Sequence, residues 1–310
     1  MHRIVKLPDG NVLHLRGEVV PDQWEVRTWT ANGVMERSVR PVVRYEEEGE
    51  YPGQHFDAAG NLVEDPEPSP AQIEEQRLRS LRASARRSKT QCRRKIIVQK
   101  FDEMLTLTYR ENQTDRDLCK QHFKIWVRRM KNALGHQETY TDRQGKTRTK
   151  IVPFDFRYVA SFEPQERGAM HVHLTTFRLP ETAWHRGVKV KAWEVGTRIW
   201  RDIVGANNGM CFVGGRGRHG LPRGRKQGLA QMASYVSKYI LKDYESVPLG
   251  SNRYSCSDGI QVGKPECMVF NCTLADLMGL TFECPEGHRV VSHRLSKWSD
   301  SIWLCTEPIT

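Results

Sequence analysis

The run Met170-His171-Val172-His173-Leu174 sets two imidazoles two residues apart. On a β-strand they share one face, while Met170, Val172 and Leu174 point to the other. Two imidazoles on one face supply two corners of a metal site, and a nearby carboxylate would suit a hard ion such as Mg²⁺ or Mn²⁺. Glu163, at the end of the preceding strand-like run, and Glu166, in the turn that follows, are the two candidate carboxylates. The plain alternative is a pair of strand histidines that only pack. A second constellation is Tyr235-Val236-Ser237-Lys238-Tyr239-Ile240-Leu241-Lys242, two copies of Tyr-x-x-Lys in tandem. At 100° per residue, Leu229, Met232, Ala233, Val236 and Ile240 form an apolar stripe, and Tyr235, Tyr239, Lys238 and Lys242 cluster beside it. Two phenols one turn apart, each with an ammonium in reach, can act as paired nucleophiles at a phosphate, because the ammonium favours phenolate and offsets developing charge. The competing reading is two packing tyrosines with their hydroxyls at the surface.

Cations surround these motifs. Gly214–Lys226 is a Gly-rich stretch carrying Arg216, Arg218, Arg223, Arg225 and Lys226, immediately before the tyrosine segment. Residues 76–100 hold ten Lys/Arg and no acid, among them Arg86, Arg87, Arg93 and Arg94, whereas residues 1–70 hold seven Lys/Arg against thirteen Asp/Glu. The net charge of +11 is thus concentrated where phosphate contact would release counterions, and these nine basic side chains are the candidate DNA contacts. A solvated basic helix face and a surface loop are the bland readings of the same residues. Other chemistries are excluded. Gly259-Ile260-Gln261-Val262-Gly263-Lys264-Pro265 has the wrong spacing for a P-loop and Pro where Ser or Thr should bind magnesium, so an intrinsic ATPase is not expected. The eight cysteines include no Cys-x-x-Cys, which argues against zinc ribbons and disulfide scaffolds. With no run of 18 apolar residues and no leader, a cytoplasmic setting is expected.

The elements that must carry these residues follow from periodicity. Residues 1–63 read as a small β-rich segment, with turn signals at Asp9-Gly10 and Asn32-Gly33. Glu64–Pro70 is a stiff polar linker, followed by a basic helix over about 71–88; together residues 64–100 connect to the next domain. From Phe101 the pattern runs strand (104–110), helix capped by Thr114 and reaching Ala133, polar hairpin or loop (136–150), strands (156–163 and 169–177), helix (188–204), strand (209–213) and helix (228–242). This is an α+β order, β-α-β-β-α-β, of the ferredoxin-like kind with one further helix that carries the tyrosines. Domain 101–262 holds both motifs, and 263–310 is a C-terminal extension with a weaker pattern.

Leu105-Thr106-Leu107-Thr108, then Glu163–His173, then Tyr235–Lys242, occur in an order that resembles the rolling-circle replication initiators of the HUH endonuclease superfamily, in the two-tyrosine branch of small phages and plasmids. The resemblance covers about residues 76–262 and includes Asn252–Ile260. It implies an RRM-like antiparallel sheet presenting His171 and His173 as ligands of one Mg²⁺ or Mn²⁺, with Glu163 as the third and Glu166 left open. It implies Tyr235 and Tyr239 as nucleophiles assisted by Lys238 and Lys242, nicking of single-stranded or hairpin origin DNA, a 5′-phosphotyrosine intermediate, and rejoining without ATP. Host helicase, polymerase and single-strand binding protein would be the partners, in a bacterial cytoplasm. Two alternatives stand beside it: a two-tyrosine HUH transposase, which shares this motif order, and a DNA-binding regulator that does not cut.

Overall fold

The computed structural model describes residues 2–8, 12–47, 55–56, 62–63, 69–213, 228–242, 245, 247, 250–296 and 301–309. Two compact units result, Met1–Arg77 with Gly263–Thr310, and Leu78–Val262. The first begins with β1 (His2–Lys6), β2 (Val12–Ala31) and β3 (Val34–Glu47). Asn32 and Gly33 join β2 to β3 with φ of 51° and 80°, the paired positive values of the hairpin turn whose twist matches that of the strands. The Asp9-Gly10 turn lies outside the described residues. After the two-residue strands β4 (His55–Phe56) and β5 (Leu62–Val63), helix α1 spans Pro70–Gln99. Most of the linker 64–70 lies outside the described residues, but the helix start is visible. Ser69 Oγ accepts from the Gln72 amide, Gln72 Oε1 accepts from the Ser69 amide, and Pro70 needs no amide partner. The helix outruns the expected 71–88 because Cys92, Ile96 and Ile97 continue the buried stripe of Leu81 and Ala85 through the basic run.

The second unit continues with β6 (Glu103–Tyr109), α2 (Arg116–Ala133), β7 (His136–Thr141), β8 (Thr147–Val152), β9 (Tyr158–Pro164), β10 (Met170–Thr176), β11 (Thr182–His185), β12 (Val188–Lys191), α3 (Ala192–Val204), β13 (Gly209–Val213), α4 (Leu229–Lys242) and β14 (Tyr254–Cys256). Five strands form one sheet in the order β13-β6-β10-β9-β14, with every neighbouring pair antiparallel. Period-two alternation sorts its residues. Leu105, Leu107, Ala160, Phe162, Val172 and Leu174 face a core shared with Phe123, Trp126 and Met130 of α2 and Ile199 and Trp200 of α3. Gly209 lets β13 cross Trp200 closely, since a Cβ there would meet the indole at 2.4 Å. Thr106, Ser161, Glu163, His171 and His173 belong to the opposite face, where α4 packs on β9 and β10.

Two boundaries differ from expectation. Asp115, rather than Thr114, caps α2, its carboxylate accepting from the amides of Asp117 at 2.8 Å and Leu118 at 3.0 Å. Asp115→Ala is expected to destabilise the fold by about 1 kcal/mol in urea unfolding, and Thr114→Ala to leave it unchanged. Residues 188–191 are strand rather than the start of a helix. Arg186 and Gly187, at φ of 52° and 78°, close a two-residue turn, and Val-Lys-Val-Lys has a strand's period.

Residues 263–310, which the sequence pattern sets apart, complete the N-terminal sheet. Strand β15 (Glu266–Asn271) pairs with β2, and α5 (Leu274–Phe282) is capped by Thr273. Strands β16 (His288–Leu295) and β17 (Ile302–Pro308) follow, with β17 against β3. Trp24, Val39, Leu277 and Ile302 form the core there. The eight cysteines are free; burial pushes the Cys119 thiol up to about 11 and the Cys211 thiol up to about 12. Among the described residues no helix is long and apolar enough to cross a membrane.

Candidate active site

Strand β10 lies at the centre of its sheet, so its register fixes what surrounds the histidines. His171 stands opposite Glu163 on one side and Thr108 on the other, and His173 opposite Ser161 and Thr106. His173 is 6% exposed and has a partner at each ring nitrogen: Glu163 Oε2 lies 3.2 Å from Nε2, and Thr106 Oγ1 lies 3.1 Å from Nδ1. The ring of His171 is 6.0 Å from that of His173. Burial foremost, then His173 and Arg167, push the His171 pKa down to about 4 against the opposing pull of Glu163. Its imidazole is therefore neutral at neutral pH, with a lone pair to offer.

Helix α4 brings the phenols to these imidazoles. It is tied to β9 by the Ser161 hydroxyl, which donates to the Val236 carbonyl at 3.0 Å. Tyr239 stacks on His173 with ring centroids 4.6 Å apart and planes at 13°, and Tyr235 meets Tyr239 edge-on at 5.4 Å. The apolar stripe extends to Tyr239, which is 9% exposed, whereas Tyr235 is half-buried. Burial raises the Tyr239 pKa well above that of a free phenol, and its hydrogen bond with Tyr235 and the charge of Glu163 act in the same direction. The ammonium of exposed Lys238 lies over both rings, 4.4 Å from the centre of Tyr235 and 4.8 Å from that of Tyr239. Lys242 is the last residue of α4.

Of the two candidate carboxylates, Glu163 meets the imidazoles and is 7% exposed, while Glu166 sits exposed in the turn between β9 and β10. Arg167 fixes that turn by donating to the carbonyls of Arg110 at 2.7 Å and Tyr109 at 2.6 Å. Among the described residues no three metal-ligating side chains converge on one point; His173 and Glu163 bind each other, with His171 beside them.

The basic candidates separate. Arg86 and Arg87 are exposed and Arg94 is half-buried, but Arg93 is only 6% exposed and partnered inside the protein, so it is not a phosphate contact. Arg216, Arg218, Arg223, Arg225 and Lys226 lie outside the described residues. Sequence reasoning missed Thr106 and Arg167 as positioning residues. The alternation of Leu105-Thr106-Leu107-Thr108 does put Thr106 on the face away from the core, but only the strand register pairs it with His173.

No curated protein and no solved structure matches the chain. Residues 102–244, from the threshold of β6 to just beyond α4, match the family described as replication-associated protein ORF2. Over this stretch, which holds both the histidine strand and the tyrosine helix, the chain is similar to a Rep-like family of replication initiators.

Proposed function

We propose that this chain nicks and rejoins single-stranded DNA through a tyrosine nucleophile to start rolling-circle replication. The observation that supports this best is the meeting of His173, Glu163, Tyr235, Tyr239 and Lys238 on one sheet face, drawn from three separate elements. The order β13-β6-β10-β9, with α2 and α3 supplying the core on the other face, suits a ferredoxin-like HUH nuclease. In that reading α4 is the added helix, β14 an added edge, and the β7–β8 and β11–β12 hairpins are insertions.

The donor set fits a hard divalent ion. His173 Nε2 and Glu163 Oε2 are 3.2 Å apart around a shared proton, a gap that two adjacent ligands of one ion also span. His171, His173 and Glu163 would hold Mg²⁺ or Mn²⁺, which when bound supplies Lewis-acid polarisation of the scissile phosphate. The protein's own groups carry the rest. Tyr235, the more accessible phenol, attacks phosphorus in line; the bond from phosphorus to the 3′ oxygen breaks as the bond to the tyrosine oxygen forms. The proton lost by the phenol ends on the departing 3′ oxygen, leaving a 5′-phosphotyrosine and a free 3′-OH for a host polymerase. Lys238 stabilises the phenolate and the developing phosphate charge. Tyr239, buried and hydrogen-bonded to Tyr235, is kept protonated until the second cut.

The test is a denaturing gel of end-labelled single-stranded DNA from the replicon that encodes the chain, incubated with Mn²⁺ with and without EDTA. A cut that EDTA abolishes, with a protease-sensitive adduct on the 5′ end, is expected. Stable binding with no cut in Mg²⁺ or Mn²⁺ would overturn the proposal in favour of a regulator.

A further inference from the structure

We infer that Phe212 and Met210 form a stacking platform for an unpaired DNA base beside the cleavage site; this rests on the function proposed above. On β13, Gly209 and Cys211 are buried, whereas Met210 is 40% and Phe212 48% exposed. Strand register runs Phe212–Thr106–His173 in one row and Met210–Thr108–His171 in the next. Directly paired residues share a sheet face, so both side chains stand on the histidine face. Two strand spacings separate Phe212 from His173, roughly 10 Å between backbones. Helix α4 packs on β9 and β10, leaving this flank of the sheet open.

Chemistry selects the occupant. Next to Met210 lies a depression lined by Thr108, Arg110, Arg201, Asn207 and Gly209, with two guanidinium groups and no carboxylate. Exposed apolar side chains flanked by cations suit a single strand, whose bases offer their π-faces while the phosphates follow the positive charge. In a duplex those faces are already stacked, so the platform favours unpaired DNA. A base held there lies on the strand that leads to the phosphate at His173.

The experiment uses the full chain and an oligothymidylate of roughly 20 nucleotides, long enough to cover one small domain. Phe212→Ala is expected to weaken binding roughly tenfold, and Phe212→Trp to restore it. The salt dependence of the Phe212→Ala variant should stay parallel to that of the parent, since no phosphate contact is lost, whereas Arg110→Ala should reduce the slope by about one. Photocrosslinking with iodouracil in place of thymine should label the peptide that contains Phe212. Parental binding by Phe212→Ala, or labelling only elsewhere, would overturn the platform even if the protein nicks DNA. Weakened binding in a protein that never nicks would keep the platform and remove the cleavage reading.

Discussion

Tyr235→Phe is expected to lower the rate of the first nick by roughly 10⁴-fold or more, the scale on which enzymes lose activity when a nucleophile is deleted. Tyr239→Phe should nick within about tenfold of the parent and fail at strand transfer. The asymmetry comes from their surroundings. Tyr235 is half-buried beneath the Lys238 ammonium, while Tyr239 is 9% exposed, its pKa raised by burial and by the hydrogen bond to Tyr235. Phenylalanine at 239 removes the hydroxyl but keeps a ring that can stack on His173, so the imidazole is not released. Single-turnover nicking of supercoiled replicon DNA and recovery of closed circles measure the two steps separately. A 5′ adduct mapped to Tyr239 in the Tyr235→Phe variant would reverse the order of attack. Equal residual nicking by both variants would make the phenols interchangeable.

Much of this site is legible in the sequence because its spacings are short. His171 and His173 share a face by strand alternation alone, and Tyr235, Lys238 and Tyr239 by helical period. What joins the two sets is long-range. The partnership of Thr106 with His173 depends on strand register, and Tyr239 on His173 on how α4 lies across the sheet. Neither distance is encoded locally. Burial of Arg93 was hidden for a related reason: its run reads as uniformly basic, and only the stripe of Cys92, Ile96 and Ile97 identifies the inner side of α1. The N-terminal sheet escaped for the same cause. Trp24 Nε1 donates to the Cys272 carbonyl across 248 residues, and the strands β15 to β17 complete a layer begun by β2 and β3. Local pattern can find each strand, but the pairing belongs to the folded chain.

His173→Ala should reduce nicking by roughly 100-fold or more, since changing even the partners of metal ligands costs 10–100-fold in affinity or activity. That variant also strips Glu163 of its partner and Tyr239 of its stacking surface, so loss of activity alone would be ambiguous. Glu163→Gln separates the two effects. A glutamine oxygen can still accept from His173 Nε2, so the fold and its melting temperature should persist while the anionic donor is lost. Nicking should then need roughly 10–100-fold more Mn²⁺, and the signal of Mn²⁺ bound to DNA-free protein should weaken in parallel. Thr106→Val should move the same titration in the same direction, because Thr106 holds the His173 ring through Nδ1. Glu166→Gln is the control, exposed in its turn and apart from the imidazoles. If Glu166→Gln shifts the Mn²⁺ titration and Glu163→Gln does not, the third ligand comes from the turn. The 3.2 Å contact between Glu163 and His173 would then serve only to orient the ring.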